Sequence, residues 1–578
     1  MLKFIRRTLS SIFTVIGFIV VVAAVIGYFK LVHTSHVDPE SDAITSASVL
    51  QIEVGGLPMT DFNLPTSLVS QLQKYRTQSL IELIDLINDA KGDSRIKAIS
   101  LIITGNSFSA AQAEELRHAL EQFRKTNKKV YTFAYAFGDG SNGTSAYYLA
   151  SVSDKIYMQP HSPVSIIGAS LESFFLRDLL DKLQVNIQFA RRNAHKGVVD
   201  RYTRNNFTPE VKANLSDVLT SIITHVQEKT AASRGIDLPT YINLVNTAPH
   251  HSPQALEHKL LDALIYRDEI KGKIKADLGQ NLAFVTDKAY SPQSKRPPAP
   301  NKIGVIFLDA EVVPAGASTV NINDPYSPES LDKAFEIAIK DKDVKAIIFR
   351  INTPGGAVSG AEVIHHAVKR TVDKGIPVIV SMGNVAASAG YYMAAPATKI
   401  YANGLTLTGS IGIAMLKPNI RKATENYGIT WDQVQVGNNA AMWSTTQDFN
   451  ESSWNYIQES LDRFYANFIR KVAEGRKLPP ATVEALAGGK VWSGLQAKHN
   501  GLIDEIGGFF DALEAAKKIC HVKDTEEANI VIFNRIHIGL PLLFSFFEGS
   551  SLEVLKEILG IKDHFNQMTA THRLRLVM

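Results

Sequence analysis

Apolar residues fall into three patterns along this chain. The first is continuous: Ile12 to Phe29 reads IFTVIGFIVVVAAVIGYF, 18 residues without a charge. At about 1.5 Å per residue such a segment nearly spans a hydrocarbon core, which needs roughly 17–25 residues. The second is the short run rich in β-branched residues, VLQIEV (49–54) and KIGVIFLD (302–309), which predicts buried strands. The third is helical spacing that ends in another such run, in SLIELIDLINDAKGDSRIKAISLII and again in SLDKAFEIAIKDKDVKAIIFRI. Strands alternating with helices predict α/β domains with mainly parallel sheets.

The pattern occurs twice. GTSAYYLASVSDKIY (143–157) is echoed by AASAGYYMAAPATKIY (386–401), with Tyr148 against Tyr392 and Lys155 against Lys399, an offset of 244 in both cases. SPQALEHKLLDAL (252–264) is echoed by WSGLQAKHNGLIDEI (492–506). Several segments repeated in the same order predict a duplicated architecture. Between the copies, SPQSKRPPAPN (291–301) has the prolines and polar residues of a linker. The expected organisation is a cytoplasmic N-terminus and anchor over 1–30, a linker over 31–47, one α/β repeat over 48–290, the linker 291–301, a second repeat over 302–535, and a tail over 536–578. The tail contains LPLLFSFF, too short to span a bilayer.

Charge orients the anchor. Lys3, Arg6 and Arg7 precede the apolar run and only Lys30 closely follows it. The positive-inside bias places the N-terminus in the cytoplasm and exports the remainder. A cleaved signal peptide has a shorter apolar core and a small-x-small site after it, whereas here KLVHTSHVDPE follows, so an uncleaved anchor is expected. The rest is globular in composition, 45% hydrophobic and 20% charged. Its 61 basic and 57 acidic residues leave a formal charge of +4 and no basic stripe, so no nucleic-acid partner is expected. The single cysteine, Cys520, can form neither an intrachain disulfide nor a thiolate cluster, and within DALEAAKKIC it reads as a small buried hydrophobe. No cofactor and no metal are expected.

Candidate chemistry sits at two helix starts in the second copy. In FRINTPGGAVSGAEVIHHAVKR (349–370), Gly355 and Gly356 turn a strand into a helix. Glycine allows close backbone approach, and helix N-terminal N–H groups point at negative charge, as an oxyanion hole requires; taken alone, an ordinary βα turn accounts for the Gly-Gly equally well. In PVIVSMGNVAASAGYYMAAPA (377–397), Ser388 sits among small residues at a strand-to-helix junction, which suits either a nucleophile or close helix packing. The strings NTPGG, AASAGYYMAAPATKIYA, LTGSIGI and VWSGLQAKHNGLIDEIGG together resemble the signal peptide peptidase A (protease IV) family, in its long, duplicated, membrane-anchored bacterial form. The resemblance runs from the anchor to about residue 535. It implies two tandem crotonase-like or Clp-protease-like α/β domains, a serine–lysine dyad and a homotetrameric bowl. The peptidase would lie at the outer, periplasmic face of the bacterial inner membrane, where it degrades residual signal peptides.

A serine nucleophile needs a base. No histidine lies between Ser388 and His499, and the adjacent His365 and His366 cannot both face inward from one helix. The first copy offers Lys196 in VNIQFARRNAHKGVVDRYTRNNFTPE. At the 244-residue offset Lys196 falls on Ala440 and Ser388 on Thr144, so one copy keeps a base and the other a nucleophile. The resemblance carries the base role to Lys196; His195 is the competing base, and a solvated lysine is the non-catalytic alternative. A lysine base must lose roughly 2–3 units from its ordinary pKa of about 10.4, through desolvation or nearby positive charge such as Arg191 and Arg192 if they face the amine. The backbone N–H groups of Gly356 and Ala389 are the candidate oxyanion donors. The resemblance suggests that Ser410 orients the lysine; otherwise Ser410 is a turn or capping serine. Two other classes use such a sheet: an acyl-CoA enzyme, against which an exported chain argues, and a catalytically inactive peptide-binding scaffold.

Overall fold

Runs of β-branched residues bounded by capped helices do form parallel strands here. The computed structural model describes residues 42–62, 77–292, 297–317, 324–523 and 526–534. The Ile12–Phe29 segment, most of the 31–47 linker and the tail from 536 lie outside them. Among the described residues no helix is long and apolar enough to cross a membrane.

In the first half, six strands lie side by side and parallel in the order Ala263–Leu264, Lys155–Met158, Lys129–Ala134, Ile96–Ile103, Ser48–Val54, Ala283–Thr286. In the second half six strands of an eight-stranded sheet lie parallel in the order Glu505–Ile506, Lys399–Ala402, Val378–Ala387, Val344–Thr353, Pro298–Asp309, Glu527–Ile532; the end of Val378–Ala387 also pairs in parallel with Leu407–Gly409, which pairs antiparallel with Val491–Ser493. These six-strand orders coincide strand for strand along the chain, and the added pair is found only in the second half among the described residues. Both central strands are almost wholly buried, as parallel sheets covered on both faces require.

Local sequence sets the crossover helices. Ser79 accepts a hydrogen bond from the Glu82 N–H and starts the helix Leu80–Gly92; Ser327 accepts from the Ser330 N–H and starts Pro328–Lys340, with proline in the first turn. Such caps contribute about 1 kcal/mol each. The strand expected from Lys302 begins earlier, at Pro298, so the end of the 291–301 linker is strand. Pro298 pairs only with Glu527, at a frayed end where its missing N–H costs no ladder bond.

The halves are joined by features that no single segment forecasts. Asn186–Arg191 of the first half pairs antiparallel with Ala414–Asn419 of the second, with Arg191 opposite Ala414. Ile81 and Phe62 of the first half pack into a cluster built mainly from second-half residues such as Ile303, Phe307 and Ile348. Arg350, 1% exposed, bridges Asp61 at 2.8 Å and Glu115 at 3.0 Å, both from the first half. Removing one partner from such a buried pair costs about 3–5 kcal/mol, because the other charge is stranded.

Candidate active site

Ser388 follows the strand Val378–Ala387 and caps the short helix Ala389–Ala394. Its backbone takes φ 55° and ψ −116°, a region that strains a residue with a Cβ by about 1–3 kcal/mol. The strain is held by the Ser388 N–H donating to Gly409 O at 2.8 Å and the Tyr392 N–H donating to Ser388 O at 2.9 Å. The sharp turn lifts the hydroxyl off the end of the sheet, as strained strand-to-helix elbows do. The small residues around it have a steric cause. A Cβ on Gly355 would come within 2.9 Å of Ser388 Cβ, and one on Gly390 within 2.8 Å of Thr353 Cγ2.

Lys196 Nζ lies 3.0 Å from Ser388 Oγ. It also lies 2.9 Å from Ser410 O and 3.0 Å from Ser410 Oγ. The antiparallel ribbon sets this meeting, since Lys196 follows one strand by five residues and Ser410 precedes the other by four. The lysine stem is clamped by glycines: a Cβ on Gly489 would strike Lys196 N at 2.5 Å, and one on Gly412 would touch Lys196 Cδ at 3.4 Å. Only 7% of Lys196 is exposed, and burial pushes its amine down to about 8.

The condition for help from the arginines, that they face the amine, is not met. Arg191 turns to Asp200 at 2.8 Å, and Arg192 to Asp462 at 2.5 Å and to Gln458. Each guanidinium is neutralised by its own carboxylate, so desolvation alone lowers the lysine. Among the described residues no hydrogen bond joins His195 to Ser388. His365 is buried against Tyr392 with ring centroids 5.0 Å apart, and His366 is exposed, so one of the pair faces inward and serves packing.

Gly355 and Gly356 lie beside this pair, at φ 125° and 142°. Val312 N–H donates to Gly355 O and Ala357 N–H to Val312 O, both at 2.8 Å. With its neighbours bonded on that side, the Gly356 N–H points the other way, and Gly356 is exposed. A cavity of about 730 Å³ opens over Ser388, Ala389, Gly356, Lys196 and Ser410. Leu171, Phe175 and Val198 wall it from the first half, and Val358, Phe464 and Phe468 from the second. The five candidate residues are thus brought to one cleft. The sequence pattern does not single out Gly412 or Gly489, whose part in holding the lysine depends on what lies opposite them.

Two parallel α/β halves and a strained serine at a strand end mark the class, a serine peptidase. The model of peptidase family S49 matches residues 122–281 and 370–523, more than half of the chain. The chain belongs to peptidase family S49. Protease 4 of Haemophilus influenzae is 29% identical, covering 97% of this chain and 93% of that protein. Protease 4 of Salmonella typhi is also 29% identical, over 78% of this chain and 73% of its own length. The chloroplastic serine protease SPPA of Arabidopsis thaliana is 26% identical over 84% and 72%. Among solved structures, a ClpP1 mutant from Listeria monocytogenes is 16% identical at a TM-score of 0.25, covering 36% of this chain and 94% of its own. That overlap is too small to assign the fold, which rests on the strand order described above.

Proposed function

We propose that the chain is a membrane-anchored serine endopeptidase working through a dyad of Ser388 and Lys196. The observation that carries this is the 3.0 Å approach of Lys196 Nζ to Ser388 Oγ, across 192 residues and two halves. A neutral lysine amine has two N–H donors and one lone pair. Ser410 O and Ser410 Oγ accept the two donors, which leaves the lone pair for the Ser388 hydroxyl. Burial that lowers the amine to about 8 favours this neutral form near physiological pH.

The reaction then proceeds in two halves. Ser388 Oγ bonds to the peptide carbonyl carbon as its proton passes to Lys196 Nζ. The tetrahedral oxyanion is received by the N–H groups of Gly356 and Ala389. The C–N bond breaks, Lys196 returns its proton to the leaving amine, and an acyl-enzyme remains. Water attacks the ester while Lys196 takes its proton, releasing the acid and restoring Ser388. Ser410 orients the amine throughout.

The apolar walls of the cleft suit apolar peptides, and residual signal peptides at the outer face of a bacterial inner membrane fit that chemistry. In this reading Ile12–Phe29 is a single-pass anchor with a cytoplasmic N-terminus. The matching strand orders and the 244-residue offset support two duplicated, crotonase- or Clp-like domains. Assembly as a tetramer follows from the resemblance. The test is direct: the full chain in detergent should cleave an apolar fluorogenic peptide, and a serine-directed phosphonate should stop it by labelling Ser388 alone. A chain that binds the peptide but releases no fragment is a scaffold and overturns the proposal.

A further inference from the structure

The strand Val378–Ala387 that leads into Ser388 is irregular. Ile351 pairs with Met382 and Thr353 with Ala386, so Gly383, Asn384 and Val385 stand opposite Asn352 alone. Extra residues of this kind bend a strand and re-aim whatever follows, and Ser388 follows Val385 by three positions. Side chains hold the bulge. Thr406 Oγ1 donates to Gly383 O and Thr408 Oγ1 to Ala386 O, each at 2.7 Å, and Asn352 Oδ1 accepts the Val385 N–H at 3.1 Å. Turned over, the Asn352 amide would face that N–H with a second donor and lose the bond. What fixes its sense is Asp309, whose Oδ1 accepts from Asn352 Nδ2 at 2.8 Å.

We propose that Asp309 is a positioning residue for Ser388: its carboxylate orients Asn352, Asn352 pins the bulge, and protonating Asp309 loosens the pin and slows attack by the serine. This rests on the dyad reading, since Ser388 must be the nucleophile. The groups around Asp309 make the carboxylate titrate within reach. Burial, then the neighbouring Asp61 carboxylate from the first half, pushes Asp309 up to about 6. Asn352, Arg350 and the Asp61 backbone N–H pull the other way. Arg350 is shared with Asp61 and Glu115, which limits its help, and the Tyr326 phenol lies close enough to feel both aspartates. Among the described residues Asp61 Oδ1 is buried and receives no hydrogen bond, so a second negative charge beside it is poorly compensated.

The pH profile of kcat/KM for the full chain on an apolar fluorogenic peptide separates the effects. The dyad alone gives one break, near the lysine value of about 8, with a tenfold loss per pH unit below it. Asp309 adds a second inflection near 6, across which the profile drops by a further step, on top of the lysine slope, to a lower level that the protonated form keeps. Asp309→Asn keeps an acceptor for Asn352 but cannot ionise, so its lower break should vanish; a lower break that persists in this variant overturns the inference. If Asp309→Asn does not fold, Asn352→Ala gives the same reading, with slower phosphonate labelling of Ser388 and no lower break expected, and retention of that break again overturning it. Absence of the upper break in the unmodified chain strikes at the lysine base instead, and leaves the lower break to judge Asp309.

Discussion

Thr144 and Ser388 stand at matching turns of the two halves, and almost everything around them differs. In the first half the Thr144 N–H donates to Asn142 Oδ1 at 2.9 Å and the Thr144 hydroxyl to Gly168 O at 3.2 Å, so the turn consumes its own polar groups. In the second half Ser388 accepts a strained backbone, and among the described residues its hydroxyl is met only by a lysine from the other half. The crossover helices repeat the contrast. Ser109 closes a capping box with Gln112 at the start of Ala110–Arg124, whereas Ala357, before Val358–Asp373, has no side-chain cap. Counting back from those caps, Ser107 and Phe108 occupy the places of Gly355 and Gly356. A turn that satisfies itself is stable and inert; one stripped of caps and side chains leaves donors to meet a developing charge.

The comparison breaks if the two turns prove equivalent in function. Ser388→Ala and Lys196→Met should each lower kcat/KM by about 10⁴-fold or more in a folded chain, while Thr144→Ala stays within about threefold; equal losses at both turns in peptide hydrolysis would end the distinction. Gly356→Ala comes next. Its Cβ would meet Val312 O at 2.2 Å, so the segment must shift and carry the N–H away. Loss of one oxyanion donor costs about 2.7–4 kcal/mol, or 10²–10³-fold in kcat, while Phe108→Leu should leave kcat nearly unchanged.

Stability sharpens the contrast further. Lys196 titrates near 8 when folded and at 10.5 in the reference state, so between these values the unfolded chain binds more protons and stability rises with pH. Below 8 the buried amine costs about 3 kcal/mol relative to high pH. Denaturant titrations should therefore show wild type gaining on Lys196→Met as pH climbs from about 8 to 10.5, with a flat difference across that window counting against a desolvated lysine. The smallest effect belongs to Ser410→Ala. Ser410 O still holds the amine, so one hydrogen bond of about 1 kcal/mol is lost and kcat falls about five- to tenfold.

Much of the fold was legible because its causes are local. Ser79 and Ser327 mark helix starts by hydrogen bonding to residues within one turn, Pro328 by its fixed φ, and the β-branched runs at 96–103 and 344–353 read as buried strands. Part of the site was legible for a similar reason: Gly355, Gly356 and Ser388 sit at strand-to-helix junctions that spacing reveals. Arg350, Asp61 and Asn352 carried no such signal. Their roles arise from what lies opposite them, and a buried arginine reads like any exposed one until both carboxylates are in place.

By itself the sequence determined the two α/β halves, the order of their elements and the positions where backbone could be bared, since propensity, capping and glycine freedom act within a few residues. Only the tertiary structure decided that Lys196 meets Ser388, that Arg191 and Arg192 are spent on Asp200 and Asp462, and that the amine falls to about 8. Pairing register between distant strands and exclusion of water are properties of the assembled interface, and a lysine's basicity follows the dielectric around it, not the residues beside it in the chain.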